Sequence, residues 1–250
     1  MTMRPFSDHF SSLSSAYAVH RPGYPDALFT LLAALPARRE RVWDCATGSG
    51  QAALGLAPHF ESVLATDASA AQVQAATPHP RVRYAVAQAE AVPFRSGTFD
   101  LIAVAQALHW LELPEFYAEA RRLLAPGGVV AVWTYGRHHV DGGAIDEVLD
   151  DYYDRIVGAY WPPERRWVEN GYRTLRFPFA EVPVAPPPMA VSWTLDEMLG
   201  YIGTWSATAR CRTMTGLDPM PALADRLAPL WGDPADRRRI EWPLSVRAGR

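Results

Sequence analysis

Arg41-Val42-Trp43-Asp44-Cys45-Ala46-Thr47-Gly48-Ser49-Gly50 is a short apolar run that ends in an acid and bends through two glycines into a helix-compatible segment, Gln51-Ala52-Ala53-Leu54-Gly55-Leu56. Glycine adopts positive φ cheaply and lets a backbone come close to a ligand. The N–H groups of a helix that follows such a bend favour an anion above the turn. Seventeen residues after Gly50, a second apolar run, Ser62-Val63-Leu64-Ala65-Thr66, ends in Asp67. An acid at the tip of a second strand is placed to accept hydrogen bonds from ribose hydroxyls. These features describe the nucleoside-binding first half of an α/β sheet.

The pattern continues outward. Val42–Cys45, Val63–Thr66, Val82–Val86, Leu101–Ala105 and Val129–Trp133 are short and apolar, as buried parallel strands are. Helical stretches separate them, among them Ala68–Ala76 and Leu113–Leu124, the latter with Phe116, Ala120, Leu123 and Leu124 at helical spacing. Such alternation predicts a doubly wound sheet. Ligands then sit at the carboxyl ends of the strands, where Asp44, Asp67, Gln88 and Gln106 fall. After Trp133 the chain changes character. Residues 138–180 are predicted helical and are aromatic-rich, with a break at Pro162-Pro163; Pro186-Pro187-Pro188 marks a loop. Met189–Thr194 reads as a strand, Leu195–Ser206 as an amphipathic helix and Ile240–Ala248 as a closing strand.

Composition removes several classes. The 250 residues suit one domain, or one with a cap. All 24 basic residues are arginine, so neither a lysine Schiff base nor a P-loop is available. A net charge of −3 gives no basic footprint for a nucleic acid. The two cysteines, Cys45 and Cys211, lack the spacing of a metal site, so none is expected. Met1 to Phe10 carries no apolar secretory core, and no run reaches membrane-spanning length, so the cytoplasm is the expected location.

Gly48-x-Gly50-x-x-Ala53 also fits the dinucleotide fingerprint, a weak signal alone. Asp44 ahead of the glycines is not part of that fingerprint. Asp44 to Gly50 resembles motif I of the class I S-adenosylmethionine (SAM) methyltransferases, and Ala65-Thr66-Asp67-Ala68-Ser69 resembles motif II. Ala87-Gln88-Ala89-Glu90-Ala91-Val92-Pro93-Phe94 is similar to the segment G-D-A-E-x-L-P-F, and Gly97-Thr98-Phe99-Asp100 to its usual sequel. Leu123-Leu124-Ala125-Pro126-Gly127-Gly128 resembles the turn before the fifth strand. The resemblance covers residues 41–135. It departs at Ala46, where the family has glycine and a Cβ is expected at negative φ, and at Gln88, where the family's acid meets adenine.

The resemblance implies a Rossmann-like sheet of seven strands whose last strand is antiparallel and whose last two strands form an edge hairpin. It divides the chain into a helical N-terminal lid (1–36), a SAM-binding core (37–136), a helical substrate cap (137–188) and final strands and helices that complete the sheet (189–250). The implied cofactor is SAM, leaving as S-adenosylhomocysteine, held by Asp44, Ala46, Gly48, Gly50, Asp67, Ala68, Gln88, Ala89 and Gln106. The stretch from Tyr17 to Pro25, with Arg21-Pro22-Gly23-Tyr24-Pro25, resembles the lid of small-molecule methyltransferases, including the trans-aconitate methyltransferase-like group. It adds Tyr17 and Arg21 to the cofactor set, and Tyr24 to the substrate set or simply to the core. Ala105-Gln106-Ala107-Leu108-His109-Trp110 resembles the family's Q-A-x-H-W. Trp110 then walls the acceptor pocket, and His109 is either a general base or a group that holds a substrate oxygen. The expected reaction is methyl transfer to a small carboxylate, hydroxyl or amine by a monomer or homodimer, without nucleic acid or membrane. Two alternatives stay open: a SAM- or nucleotide-binding protein without catalysis, and an NAD(P)-dependent oxidoreductase.

Overall fold

A computed structural model describes residues 20–140 and 143–250. Its centre is the sheet read from the sequence. Strands β1 (Arg41–Cys45), β2 (Ser62–Asp67), β3 (Val82–Val86), β4 (Phe99–Ala105) and β5 (Leu124–Tyr135) run parallel in the order β3-β2-β1-β4-β5. The neighbours β1 and β4 are not consecutive in sequence, so the chain reverses its winding between them. That is the switch point above which doubly wound sheets bind ligands. Alternate residues of these strands face opposite layers. Val42, Leu101 and Ala103 pack with Leu28, Leu32 and Leu56 on one face. Trp43, Cys45, Ile102 and Val104 pack with Phe116, Ala120 and Leu123 on the other. Burial on both faces is why β1, β4 and the body of β5 read as continuous apolar runs rather than alternating ones. Cys45 is fully buried, and desolvation pushes its thiol well above the usual range, as fits a small core residue.

Beyond β5 the sheet ends antiparallel, as expected, but with different strands. Strand β10 (Leu244–Gly249) pairs antiparallel with β5, and β7 (Glu181–Val182) pairs antiparallel with β10. The expected strand Met189–Thr194 is present as β8 (Met189–Trp193), yet it lies outside the main sheet. The expected single closing strand Ile240–Ala248 is divided at Pro243. Its first half, β9 (Arg238–Trp242), joins β8 and β6 (His139–Val140) in a second, three-stranded antiparallel sheet. Proline has no N–H for a ladder and fixes φ, so the run turns there; its carbonyl instead accepts from Gly136 N at 3.0 Å.

The segment expected to be helical over 138–180 is broken into pieces: a helix over Gly143–Asp151, a π turn over Tyr152–Ile156, a 3₁₀ turn over Gly158–Tyr160 and a short helix over Arg165–Glu169. The helix expected from Leu195 stops at Gly203, opened by a capping box between Thr194 and Glu197. Two further helices, Ser206–Thr215 and Met220–Trp231, follow it.

Gly128 shows how tightly β5 is seated. A Cβ there would lie 2.9 Å from the carbonyl oxygens of both Ala125 and Phe99, which are backbone and cannot swing aside. Gly128→Ala is therefore expected to cost about 1–3 kcal/mol of folding stability, the scale of overpacking. Urea unfolding measures it, and a variant as stable as the parent would contradict the packing described.

Candidate active site

The carboxyl ends of β1, β2 and β4 meet in one place. The turn after β1 passes through left-handed backbone at Ala46 (φ 56°), Gly48 (φ 56°) and Gly50 (φ 89°). The negative φ expected at Ala46 is corrected here: the turn itself demands the left-handed region at this residue, at a cost of roughly 1–2 kcal/mol for a side chain with Cβ. A Cβ on Gly48 would meet only Gln72 Oε1, at 3.9 Å, whereas one on Gly50 would strike the Tyr84 ring. The turn is therefore open above Gly48 and closed at Gly50.

Asp67 binds this turn. Its Oδ2 accepts from Gly48 N and its Oδ1 from Ser69 N, both at 2.8 Å. The acid expected to meet ribose hydroxyls also locks the end of β2 to the glycine turn. Ala68 lies half-buried between Asp67 and Ser69, whose side chain caps the following helix by accepting from Gln72 N. Asp44 is fully buried. Its Oδ2 accepts from the Thr47 hydroxyl, while Oδ1 has no partner at hydrogen-bond distance. Burial raises its pKa to about 7 against the pull of the Thr47 hydroxyl and the Ala53 N–H, with the Asp67 charge pushing the same way as burial. Past β3, Gln88 is half-buried and Ala89 buried. The loop carrying them is clipped by Glu119, which accepts from Val92 N at 3.0 Å, and by Arg122, which pairs with Glu119 and donates to the Val92 and Phe94 carbonyls.

A second group gathers at the ends of β4 and β5. Gln106 sits at φ 54°, and its side chain is engaged with β5: Oε1 accepts from Thr134 Oγ1 and from Tyr135 N at 3.1 Å. Gln106, expected as a cofactor contact, also braces β4 against β5. His109 and Trp110 follow in a 3₁₀ turn, their ring centroids 4.7 Å apart. His109 Nδ1 is 2.8 Å from the hydroxyl of Tyr172, a fully enclosed residue at φ 62°. Burial, aided by the nearby Arg165 charge, pulls His109 down to about 3, so its imidazole is neutral near neutral pH. A base so reluctant to hold a proton is better suited to hydrogen-bond an acceptor than to deprotonate it.

The described part of the N-terminal segment reaches the same region. Arg21 donates to the Tyr135 hydroxyl and to the Thr204 carbonyl, both at 3.3 Å, and lies over the Tyr201 ring. Tyr24 meets Trp133 and Tyr135 edge to face, at 5.6 and 6.2 Å, which is the core-packing role held open for it. Tyr17 lies outside the described residues.

Sequence reading did not single out Tyr172, Thr134 or His138. His138 is 4% exposed, ringed by Tyr201, Trp205 and Trp242, and its Nε2 has no partner. No spacing links Tyr172 to His109; the signal available was Gly171-Tyr172, a turn at which a bulky residue takes left-handed backbone.

The two buried histidines carry a pH consequence. Burial, with positive neighbours, also lowers His138 to about 3. Between about 3 and the unfolded value of 6.5, the unfolded chain binds more protons at each histidine, so stability rises with pH through that window and is lost on acidification. Asp44 acts oppositely between 3.8 and about 7, where the folded state binds more protons. The two histidines outweigh it. His138→Phe is expected to lose less stability than the parent between pH 6.5 and 5 in urea unfolding; a parent-like slope would contradict the neutral, buried state of His138.

Residues 43–132 match the family model described as a methyltransferase domain. A Dictyostelium discoideum protein described as a methyltransferase is 32% identical over 229 residues, covering 90% of this chain and 87% of that protein. A solved structure from Anaeromyxobacter dehalogenans, described as a type II methyltransferase, superposes with a TM-score of 0.86 at 46% identity, covering 92% of this chain and 97% of that one. Among the described residues no helix is long and apolar enough to cross a membrane. The likeness extends through the glycine turn and decides between the methyl-donor and dinucleotide readings of Gly48-x-Gly50-x-x-Ala53: the chain belongs to the class I SAM-dependent methyltransferases.

Proposed function

We propose that this chain transfers the methyl group of SAM to a small-molecule acceptor bound beside His109 and Trp110, with residues 1–36 as a lid and 137–188 as a cap. The observation that carries this reading is the pair of carboxylates at the switch point: Asp67 fixed on the glycine turn, and Asp44 buried beside it with an orphaned Oδ1. These residues fit SAM. The donor brings a cationic ammonium, for which a buried carboxylate with an unused oxygen is a suitable partner, and ribose hydroxyls, for which Asp67 is an acceptor. Gln72 Oε1, buried and without a partner, lies beside the open face of Gly48. Bound there, SAM supplies an electrophilic methyl group on a sulfonium.

The protein's own part is positioning. Holding acceptor and donor in line contributes on the order of 7–11 kcal/mol to such a step. The His109–Tyr172 pair, braced by Gln106 and Thr134, offers a rigid neutral hydrogen-bonding group at the acceptor side. Arg21 and Tyr24 draw the N-terminal segment over the ends of β5.

Asp67→Ala tests the donor site. It is expected to weaken SAM binding by about 1.5–3 kcal/mol, the scale of hydrogen bonds to a charged group, and also to lower the melting temperature, because two backbone N–H groups lose their acceptor. Calorimetric affinity equal to the parent's would remove the ribose role. His109→Ala tests the acceptor side. Turnover at low acceptor concentration should fall by roughly three- to tenfold, the scale of one lost hydrogen bond, whether or not the acceptor must lose a proton, with SAM affinity unchanged. Full turnover per folded molecule would place His109 in the core alone.

A further inference from the structure

Arg165 sits in an aromatic frame beside the acceptor side of this site. Its guanidinium lies 4.7 Å from the Trp161 ring centroid and 5.4 Å from that of Tyr153, and its Nε donates to the Tyr153 hydroxyl at 2.6 Å. That hydroxyl donates in turn to Glu169 Oε1 at 2.6 Å, so the neighbouring carboxylate reaches Arg165 only through a neutral phenol. Among the described residues Nη1 and Nη2 make no hydrogen bond, and no carboxylate comes within 4.0 Å of the guanidinium.

Arg137 supplies the contrast. Its guanidinium covers the same Tyr153 ring at 3.8 Å, but Asp150 at 2.7 Å and Asp154 at 2.5 Å neutralise it. Two cations therefore share one tyrosine, and only one of them has counter-ions. A half-buried guanidinium attracts an anion more strongly than a fully solvated one, because water and salt screen it less. Its unengaged edge is the planar fork that matches a carboxylate with two parallel hydrogen bonds.

The chain places this guanidinium next to the residues around His109. Arg165 opens the short helix Arg165–Glu169, and the turn after that helix brings Tyr172 to His109. Trp161 packs on Trp205 at 5.6 Å, and Trp205 on His138 at 5.7 Å, so the frame is continuous with the aromatic wall at the end of β5. The Arg165 charge is felt at His109, His138 and Tyr172 alike.

We propose that Arg165 is an acceptor-binding residue whose open guanidinium edge takes a carboxylate, so that this enzyme selects acidic acceptors. The inference rests on the methyl-transfer reading above. Its test uses the full chain loaded with S-adenosylhomocysteine and two matched probe pairs, phenylacetate with phenylacetamide and glutarate with glutaramide, titrated by tryptophan fluorescence. In the parent at least one carboxylate should bind at least about tenfold more tightly than its amide. Arg165→Gln should erase that preference while S-adenosylhomocysteine affinity, measured by calorimetry, stays at the parent value. Tyr153→Phe, which keeps the guanidinium, should retain the preference. Should Arg165→Gln fail to fold, Arg165→Lys replaces it and should weaken carboxylate binding by losing the fork while keeping the charge. No carboxylate preference in the parent, or an undiminished one in the Arg165 variant, overturns the proposal. Failure of the parent to bind S-adenosylhomocysteine would instead sink the methyl-transfer reading, and this inference with it.

Discussion

One carboxylate holds the ends of two strands together. Asp67 accepts from the backbone of Gly48 and of Ser69, so the turn after β1, the tip of β2 and the capped start of the next helix move as one piece. Without that acceptor, the left-handed backbone at Ala46, Gly48 and Gly50 would be held by Thr47, whose N–H donates to the Thr66 carbonyl and whose carbonyl accepts from Gly50 N, and by the Gly50 carbonyl, which accepts from Leu54 N. Hydrogen bonds to an ionised acceptor are roughly twice as strong as neutral ones. They offset a strained turn whose geometry leaves Gly48 open to a ligand, while Asp44 beneath it keeps one buried oxygen unused.

Strain recurs on the other side of the pocket. Of the described residues, the non-glycine positions at positive φ are Ala46, Gln106 and Tyr172. The first lies in the turn after β1; the other two lie at the contacts that hold His109. Backbone in sparsely populated regions persists only where its surroundings over-determine it. Here those surroundings are the Gln106 contacts with Thr134 and Tyr135 and the Tyr172 hydroxyl on His109. The segment after β6 adds charge to this rigidity: a π turn places Tyr153 between Arg137 and Arg165, one neutralised within the fold and one not.

What the sequence disclosed and what it hid follow from the same physics. Strands β1, β4 and β5 are buried on both faces, so their apolar runs announced themselves, and the acids at β1 and β2 stood out against them. The closing strand misled because Arg238–Trp242 and Leu244–Gly249 are both strands; only Pro243 marks that they belong to different sheets. Ala46 misled because a residue's type gives its preference, while the turn dictates its φ. Residues 138–180 hid their contacts most completely. Tyr172 on His109 and Arg165 on Tyr153 are contacts across turns and short broken helices, where neither a period of two nor one of 3.6 applies.

The most direct test of the account is a crystal structure of this protein with S-adenosylhomocysteine. The account predicts the ligand above the glycine turn, its ribose on Asp67, its amino group drawing the orphaned oxygen of Asp44, and its sulfur facing His109 and Trp110. A ligand seated away from Asp67, or one whose sulfur turns from His109, would contradict it.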